Sequence, residues 1–298
     1  MKFTRSNFFP LKKIFDLNQL KNFHKDHILF NSYSNNFEIN DISSLTYFRS
    51  NSLLFLDSDL DILDIKDKNI HVVSNIEKNK DYYKNIFIIK NFNLSYNLIC
   101  NELFYHEDQI DFKDDFNFIN GSYISKYSNI HKSAVIGKNN IISRGVEIGK
   151  NSIIKNNVVI KNSIIGDNVV ICDNSSIGTS GFGFDFNNRG SLNLNPQLGV
   201  TILDDNVHIG ASCTIDRGKI DYTYIGKNTM IDNMVHIAHN VIIGNNGCIA
   251  AQTGISGSVK IGENVTIGGQ AGFAGHITIG KNVIIAAKSG VTKNIKDN

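Results

Sequence analysis

Residues 225–291 read IGKNTM-IDNMVH-IAHNVI-IGNNGC-IAAQTG-ISGSVK-IGENVT-IGGQAG-FAGHIT-IGKNVI-IAAKSG-V when broken every six positions. Each block opens on an apolar residue: Ile225, Ile231, Ile237, Ile243, Ile249, Ile255, Ile261, Ile267, Phe273, Ile279, Ile285 and Val291. The next residue is small in nearly every block, as at Gly226, Ala238, Gly244, Ala250, Ser256 and Gly262, and β-branched residues stand two before several blocks, as at Val235, Val241 and Val259. A period of six cannot keep a residue on one face of a 3.6-residue helix. It does suit a β-solenoid, in which a hexad is one short strand plus a corner, with the β-branched residue inward and the small residue at the turn. Three hexads close one triangular coil, and coils stack at the strand spacing of ~4.8 Å.

The same step organises the chain upstream. Ile130, Ile136, Ile142, Ile148, Ile154 and Ile160 form one run; after a one-residue slip it resumes at Ile165, Ile171 and Ile177; a third run is Leu203, Ile209 and Ile215. Together the runs make about eight coils at three hexads each. Two stretches break the step: residues 178–202, which include Gly178-Thr179-Ser180-Gly181-Phe182-Gly183-Phe184 and Pro196-Gln197-Leu198-Gly199, and a shorter insertion over Asp216–Tyr224. A long excursion from a regular coil is the usual place for function.

Composition divides the chain into two parts. All 24 glycines lie at or after Gly121, whereas 15 of the 19 phenylalanines precede position 120. Two domains are therefore expected, an α/β domain over 1–122 and the solenoid over 123–298. In the first, Leu11–Leu17 has helical spacing, Ile70–Val73 and Ile86–Ile89 read as buried strands, and Asn91–Phe104 reads as a helix. A net charge of +2, from 30 basic and 28 acidic residues, gives no reason to expect a nucleic-acid partner. Residues 1–30 lack a signal-peptide pattern and no 18-residue apolar stretch occurs, so a cytoplasmic protein without a transmembrane segment is expected. Cys100, Cys172, Cys213 and Cys248 are dispersed, which argues against disulfides or a structural zinc site; Cys172 and Cys213 read as core filler.

Ile177-Gly-Thr-Ser-Gly-Phe-Gly-Phe184, Pro196-Gln-Leu-Gly199, Ile209-Gly-Ala-Ser-Cys-Thr-Ile-Asp-Arg-Gly218, Ile231-Asp-Asn-Met-Val-His-Ile-Ala-His-Asn240 and Gly268-Gly-Gln-Ala-Gly-Phe-Ala-Gly-His276 resemble the UDP-3-O-acylglucosamine N-acyltransferases of lipid A biosynthesis. The resemblance covers roughly residues 120–295 and is looser before them. It implies a mainly β fold, a left-handed parallel β-helix of hexapeptide repeats with an N-terminal α/β domain that holds uridine. It also implies a homotrimer with sites between subunits, a UDP-sugar acceptor and a 3-hydroxyacyl donor carried on the phosphopantetheine of acyl carrier protein. No cofactor and no metal are expected. His236 and His239 are three apart, and with His208 they do not match the spacing of β-helical carbonic anhydrases. Members of the family generally continue into C-terminal helices that help dock the carrier, whereas this sequence closes at Asn298, just past the last hexad.

The resemblance assigns His239 as the general base. A neutral imidazole, with a reference pKa of about 6.5, suits removal of a proton from an attacking amine. Gly257, 18 residues later and so one coil on, is expected to offer its backbone N–H to the thioester oxyanion. Asp232 stands where most repeats place Gly or Ala and is the expected orienter of His239. His276, about two coils beyond His239, is expected to contact substrate phosphate or pantetheine. Phe182 and Phe184 are expected to line an acyl or sugar pocket. Phe55, in Phe55-Leu56-Asp57-Ser58-Asp59 where the family has a Phe-x-x-Asn-Pro-Lys-Tyr-like stretch, is the candidate platform for uracil. Two further readings remain: an O-acyltransferase on UDP-N-acetylglucosamine, disfavoured by the large N-terminal domain and the Gly-Phe-Gly-Phe loop, and a non-catalytic scaffold, disfavoured by the conspicuous outward histidine.

Overall fold

The structure, a computed structural model, describes residues 3–33, 38–45, 48–59, 70–105, 116–186 and 192–298. It divides into two compact units: Met1–Ile110 together with Gly183–Pro196, and Asp111–Phe182 together with Gln197–Asn298.

The first unit is built on a five-stranded sheet ordered Ile28–Ser32, Ile86–Ile89, Ile70–Ser74, Ser52–Leu56, Asp41–Ser43. Only Ile28–Ser32 runs antiparallel to its neighbour. The three central strands are buried along their whole length, as parallel strands covered on both faces must be. Both strands expected from sequence are among them. The expected helix over 91–104 is Phe92–Leu103, whose first turn is capped by Asn91 accepting the Leu94 N–H at 2.9 Å. The expectation at Leu11–Leu17 is corrected: the helix there is Leu17–Phe23, and Phe15–Asp16 instead pairs with Glu38–Ile39. Asp16 decides the boundary. Its carboxylate accepts the Gln19 N–H at 2.7 Å while the Gln19 side chain accepts the Asp16 N–H, a capping box that starts the helix one residue later.

The second unit is the solenoid. Its strands form three parallel sheets, two of eight strands and one of ten that ends in the Phe116–Ile119/Ser122–Ser125 hairpin. Where the hexads run unbroken, strands pair at 18-residue steps, Ile231 with Ile249 and Ile249 with Ile267, so each coil lays its apolar residues on those of the last. The hexad isoleucines and the preceding β-branched residues, such as Val235 and Val241, fill one continuous core.

The division of labour at the corners differs from the sequence expectation. The small residue after each isoleucine is not where the chain turns. A Cβ at Gly226 would stand 2.7 Å from the backbone of Gly244, and one at Gly244 would stand 2.7 Å from that of Gly262, so this position is small because successive coils approach closely. The turn lies two residues on, where Asn228, Met234, Asn240, Asn246, Gln252, Ser258, Asn264, Gln270, His276, Asn282 and Lys288 all adopt positive φ of 57–62°. Asparagine tolerates this left-handed conformation better than other non-glycine residues. Along one edge the side chains also stack: Asn206, Asn228, Asn246, Asn264 and Asn282 each pass an amide N–H to the next at 3.0–3.1 Å.

Candidate active site

His239 follows the strand His236–Ile237, at the turn whose left-handed residue is Asn240. Its Nδ1 lies 3.1 Å from Asn240 Oδ1, and the same oxygen accepts the Lys219 N–H at 3.0 Å. A backbone N–H can only donate, so the amide atom between them is the oxygen, and an amide oxygen can only accept. Nδ1 therefore carries the ring hydrogen of the neutral imidazole, leaving Nε2 as the basic nitrogen.

Gly257 lies against that nitrogen. A Cβ built on Gly257 would stand 2.8 Å from both Cε1 and Nε2 of His239. The Gly257 N–H makes no hydrogen bond among the described residues, whereas its carbonyl accepts the His276 N–H at 3.1 Å. His276 is exposed and occupies the left-handed corner position of the column Asn240, Ser258, His276. Gly181, from the long excursion, returns to the other edge of the ring, where a Cβ would stand 2.6 Å from His239 Cβ and 3.0 Å from Cδ2. The excursion is held at its root by Arg217, which is buried. Its Nε donates to the Gln197 carbonyl at 2.8 Å and its guanidinium also donates to that of Gly178 at 3.1 Å.

Asp232 lies at the turn before His236–Ile237, so a whole strand separates it from His239. It is exposed, and its carboxylate accepts the N–H of the adjacent Asn233 at 2.7 Å. No hydrogen bond or ion pair joins it to His239 among the described residues. The carboxylate that the fold brings toward the histidines is Asp216. It is 7% exposed, accepts the Thr179 hydroxyl at 2.9 Å through Oδ1, and places Oδ2 3.9 Å from His236 Nε2. Burial pushes its carboxyl above the usual carboxylate range, opposed by the Thr179 hydroxyl and by the positive potential of His236, His239 and Arg217. Sequence reading passed over Asp216 although it carries the signal used for Asp232, a charge directly after a hexad isoleucine, here Ile215.

Phe182 is 78% exposed, and Phe184 is 43% exposed on the hairpin Phe184–Phe186/Leu192–Leu194. The expectation for Phe55 is corrected. It is 7% exposed and packs edge-on against Phe92 and Tyr96, with ring centroids 5.8 and 5.1 Å away, so neither ring face is open to a base. Phe55 follows Leu54 in a strand buried on both sides, and its aromatic bulk serves the core.

The bacterial transferase hexapeptide (six repeats) family matches residues 222–257 and again 258–293, and the hexapeptide repeat of succinyl-transferase matches 130–162. Over those residues the coils match transferase hexapeptide repeats. Over 67 residues the chain is 52% identical to the UDP-3-O-acylglucosamine N-acyltransferase of Caulobacter vibrioides. That match covers 22% of this chain and spans only 20% of the relative's length. Among solved structures, the chain is similar to LpxA from Acinetobacter baumannii, 26% identical with a TM-score of 0.50 over 58% of this chain and 65% of that one. It is equally similar to a UDP-N-acetylglucosamine acyltransferase, 26% identical with a TM-score of 0.53 over 59% and 66%. The hexapeptide domain is thus a left-handed parallel β-helix, and the chain's resemblance to the acyltransferases of lipid A biosynthesis extends from its motifs to its fold. Among the described residues no helix is long and apolar enough to cross a membrane.

Proposed function

We propose that this protein transfers a 3-hydroxyacyl chain from the phosphopantetheine thioester of acyl carrier protein to the 2-amino group of a UDP-3-O-acyl-glucosamine, with His239 as general base. The observation that carries the reading is the pairing, at one corner of the helix, of a basic Nε2 with the backbone N–H of Gly257, which makes no hydrogen bond among the described residues. The neutral sugar amine attacks the thioester carbonyl and a C–N bond forms. Nε2 takes the proton that nitrogen sheds, and the Gly257 N–H stabilises the oxyanion. Collapse breaks the C–S bond, and the imidazolium returns its proton to the departing thiolate. His276, tied to the Gly257 carbonyl, and the exposed rings of Phe182 and Phe184 are the groups we assign to substrate contact.

The protein acts as a cytoplasmic homotrimer in this reading, because one convex solenoid face offers few walls for a nucleotide sugar and a fatty chain, and a neighbouring subunit supplies them. The likeness to UDP-N-acetylglucosamine acyltransferases favours a second reading, O-acylation of UDP-N-acetylglucosamine. Mass spectrometry of each acceptor incubated with acyl carrier protein separates amide from ester. His239→Ala should lower kcat about 10²–10⁴-fold with the affinity for the UDP-sugar retained; a variant that keeps more than about a tenth of the turnover overturns the base assignment.

A further inference from the structure

We propose that Asp216 is the positioning carboxylate of this site, a buried negative charge that stabilises the imidazolium of His239 as it forms. The proposal rests on the acyl-transfer reading above and extends it to a residue on the preceding coil.

Strand pairing sets the geometry. Ile215 is in register with Ile237, so Asp216 falls beside Ala238, the residue before His239, one strand spacing away. On its other side Asp216 is in register with Thr179, which belongs to the same excursion as Gly181. The carboxylate is thus held between the excursion and the histidine-bearing coil. Its Oδ1 is fixed by the Thr179 hydroxyl at 2.9 Å, and its Oδ2 faces His236 Nε2 at 3.9 Å. His236 is itself oriented through Nδ1, 2.8 Å from Thr214 Oγ1.

Among the described residues, the charged and titratable groups whose potential acts on Asp216 are His236 and His239 from the next coil and Arg217, its neighbour in sequence. Arg217 is already committed to the Gln197 and Gly178 carbonyls, which leaves the two imidazoles as the groups whose protonation Asp216 most directly favours. Little solvent reaches the carboxylate to screen it, so the field at the imidazoles is stronger than that of an exposed acid such as Asp232. A nearby negative charge raises the affinity of an imidazole for its proton. The charge that appears on His239 during attack is thereby stabilised by a group that touches no substrate.

The test is a histidine-ring NMR titration of the unliganded full chain, with the His239 signals assigned by their loss in His239→Ala. In Asp216→Asn, the His236 and His239 rings should titrate at lower pH than in the wild type, since the negative charge that favours their protonated forms is gone. Asp216→Glu should restore much of the shift. In acylation assays the acid limb of kcat/KM should move to lower pH by the same amount, while kcat falls roughly tenfold. A role confined to folding would lower the melting temperature and leave the His239 titration where it is. Unchanged titration in a folded Asp216→Asn protein overturns the proposal. If that variant does not fold, the wild-type His239 resonances decide, since they should show a second, acid-side inflection as Asp216 takes up its proton, and its absence is equally fatal. Should neither acceptor be acylated by the wild type, the acyl-transfer reading fails while the titration still decides the coupling.

Discussion

Gly257 stands one coil beyond His239 and directly against its imidazole, so close that a single added carbon would sit 2.8 Å from Nε2. The position is therefore glycine for the sake of the ring, since its φ lies outside the left-handed region and places no demand on the residue type.

Gly257→Ala should displace the imidazole and lower kcat about 100-fold, the size of effect a 1 Å misplacement produces. Gly181→Ala should act in the same direction, because the atom it would meet at 2.6 Å is His239 Cβ, which has no torsional freedom to yield. Steady-state kinetics alongside thermal melting check both. Loss of turnover should exceed anything attributable to the small fraction unfolded at the assay temperature.

Phe55→Ala should destabilise the first unit by about 3–5 kcal/mol, the cost of emptying a buried aromatic site. The ring fills the space against Phe92 and Tyr96, so urea denaturation monitored by circular dichroism reports the loss. A variant of wild-type stability with weakened uridine affinity would return Phe55 to the nucleotide.

Asn264 has φ of 58° and both donates to and accepts from its neighbours in the amide stack at 3.0–3.1 Å. Asn264→Ala should cost about 1–2 kcal/mol, from forcing a Cβ-bearing residue with no compensating hydrogen bond into the left-handed region. Asn264→Gly should cost less, because it relieves the backbone while still losing the amides. Equal effects of the two substitutions, read by denaturant midpoint, would mean the stack carries the whole contribution.

His24 and His71 are buried in the first unit, and burial pushes each pKa down to about 4, with the positive potential of His27 adding to the effect at His24. Near pH 8 both rings are neutral in either state, so neither contributes a pH dependence there. As pH falls from about 6.5 to 4 the unfolded chain takes up protons that the folded one refuses, and stability drops by on the order of 3 kcal/mol per histidine. Chemical denaturation between pH 7 and pH 4 should show this loss, and His71→Phe should flatten about half of it.

Much of this protein is written in its period. Twelve apolar residues at a step of six, with small residues after them, admit a solenoid and exclude a helix, because only a coil of three short strands brings every sixth residue inward. The positions of His239 and Gly257 were legible for the same reason, since 18 residues is one coil wherever the repeat is unbroken. The orienting groups were not, because they enter across breaks in that period. Asp216 reaches the histidine coil through an insertion that shifts the count from 18 to 22 residues between Thr214 and His236. Gly181 arrives from an excursion whose return path no local pattern encodes. Asp232 read as a neighbour of His239 because seven residues look short along the chain, yet in a triangular coil they span a full face. Phe55 shows the same limit in the first unit: it stands in the apolar run Leu53-Leu54-Phe55-Leu56, and only the packing of Phe92 and Tyr96 against it decides that its ring is core. Local periodicity specifies which residues point inward; which outward groups meet depends on where irregular segments return, and that is a property of tertiary structure alone.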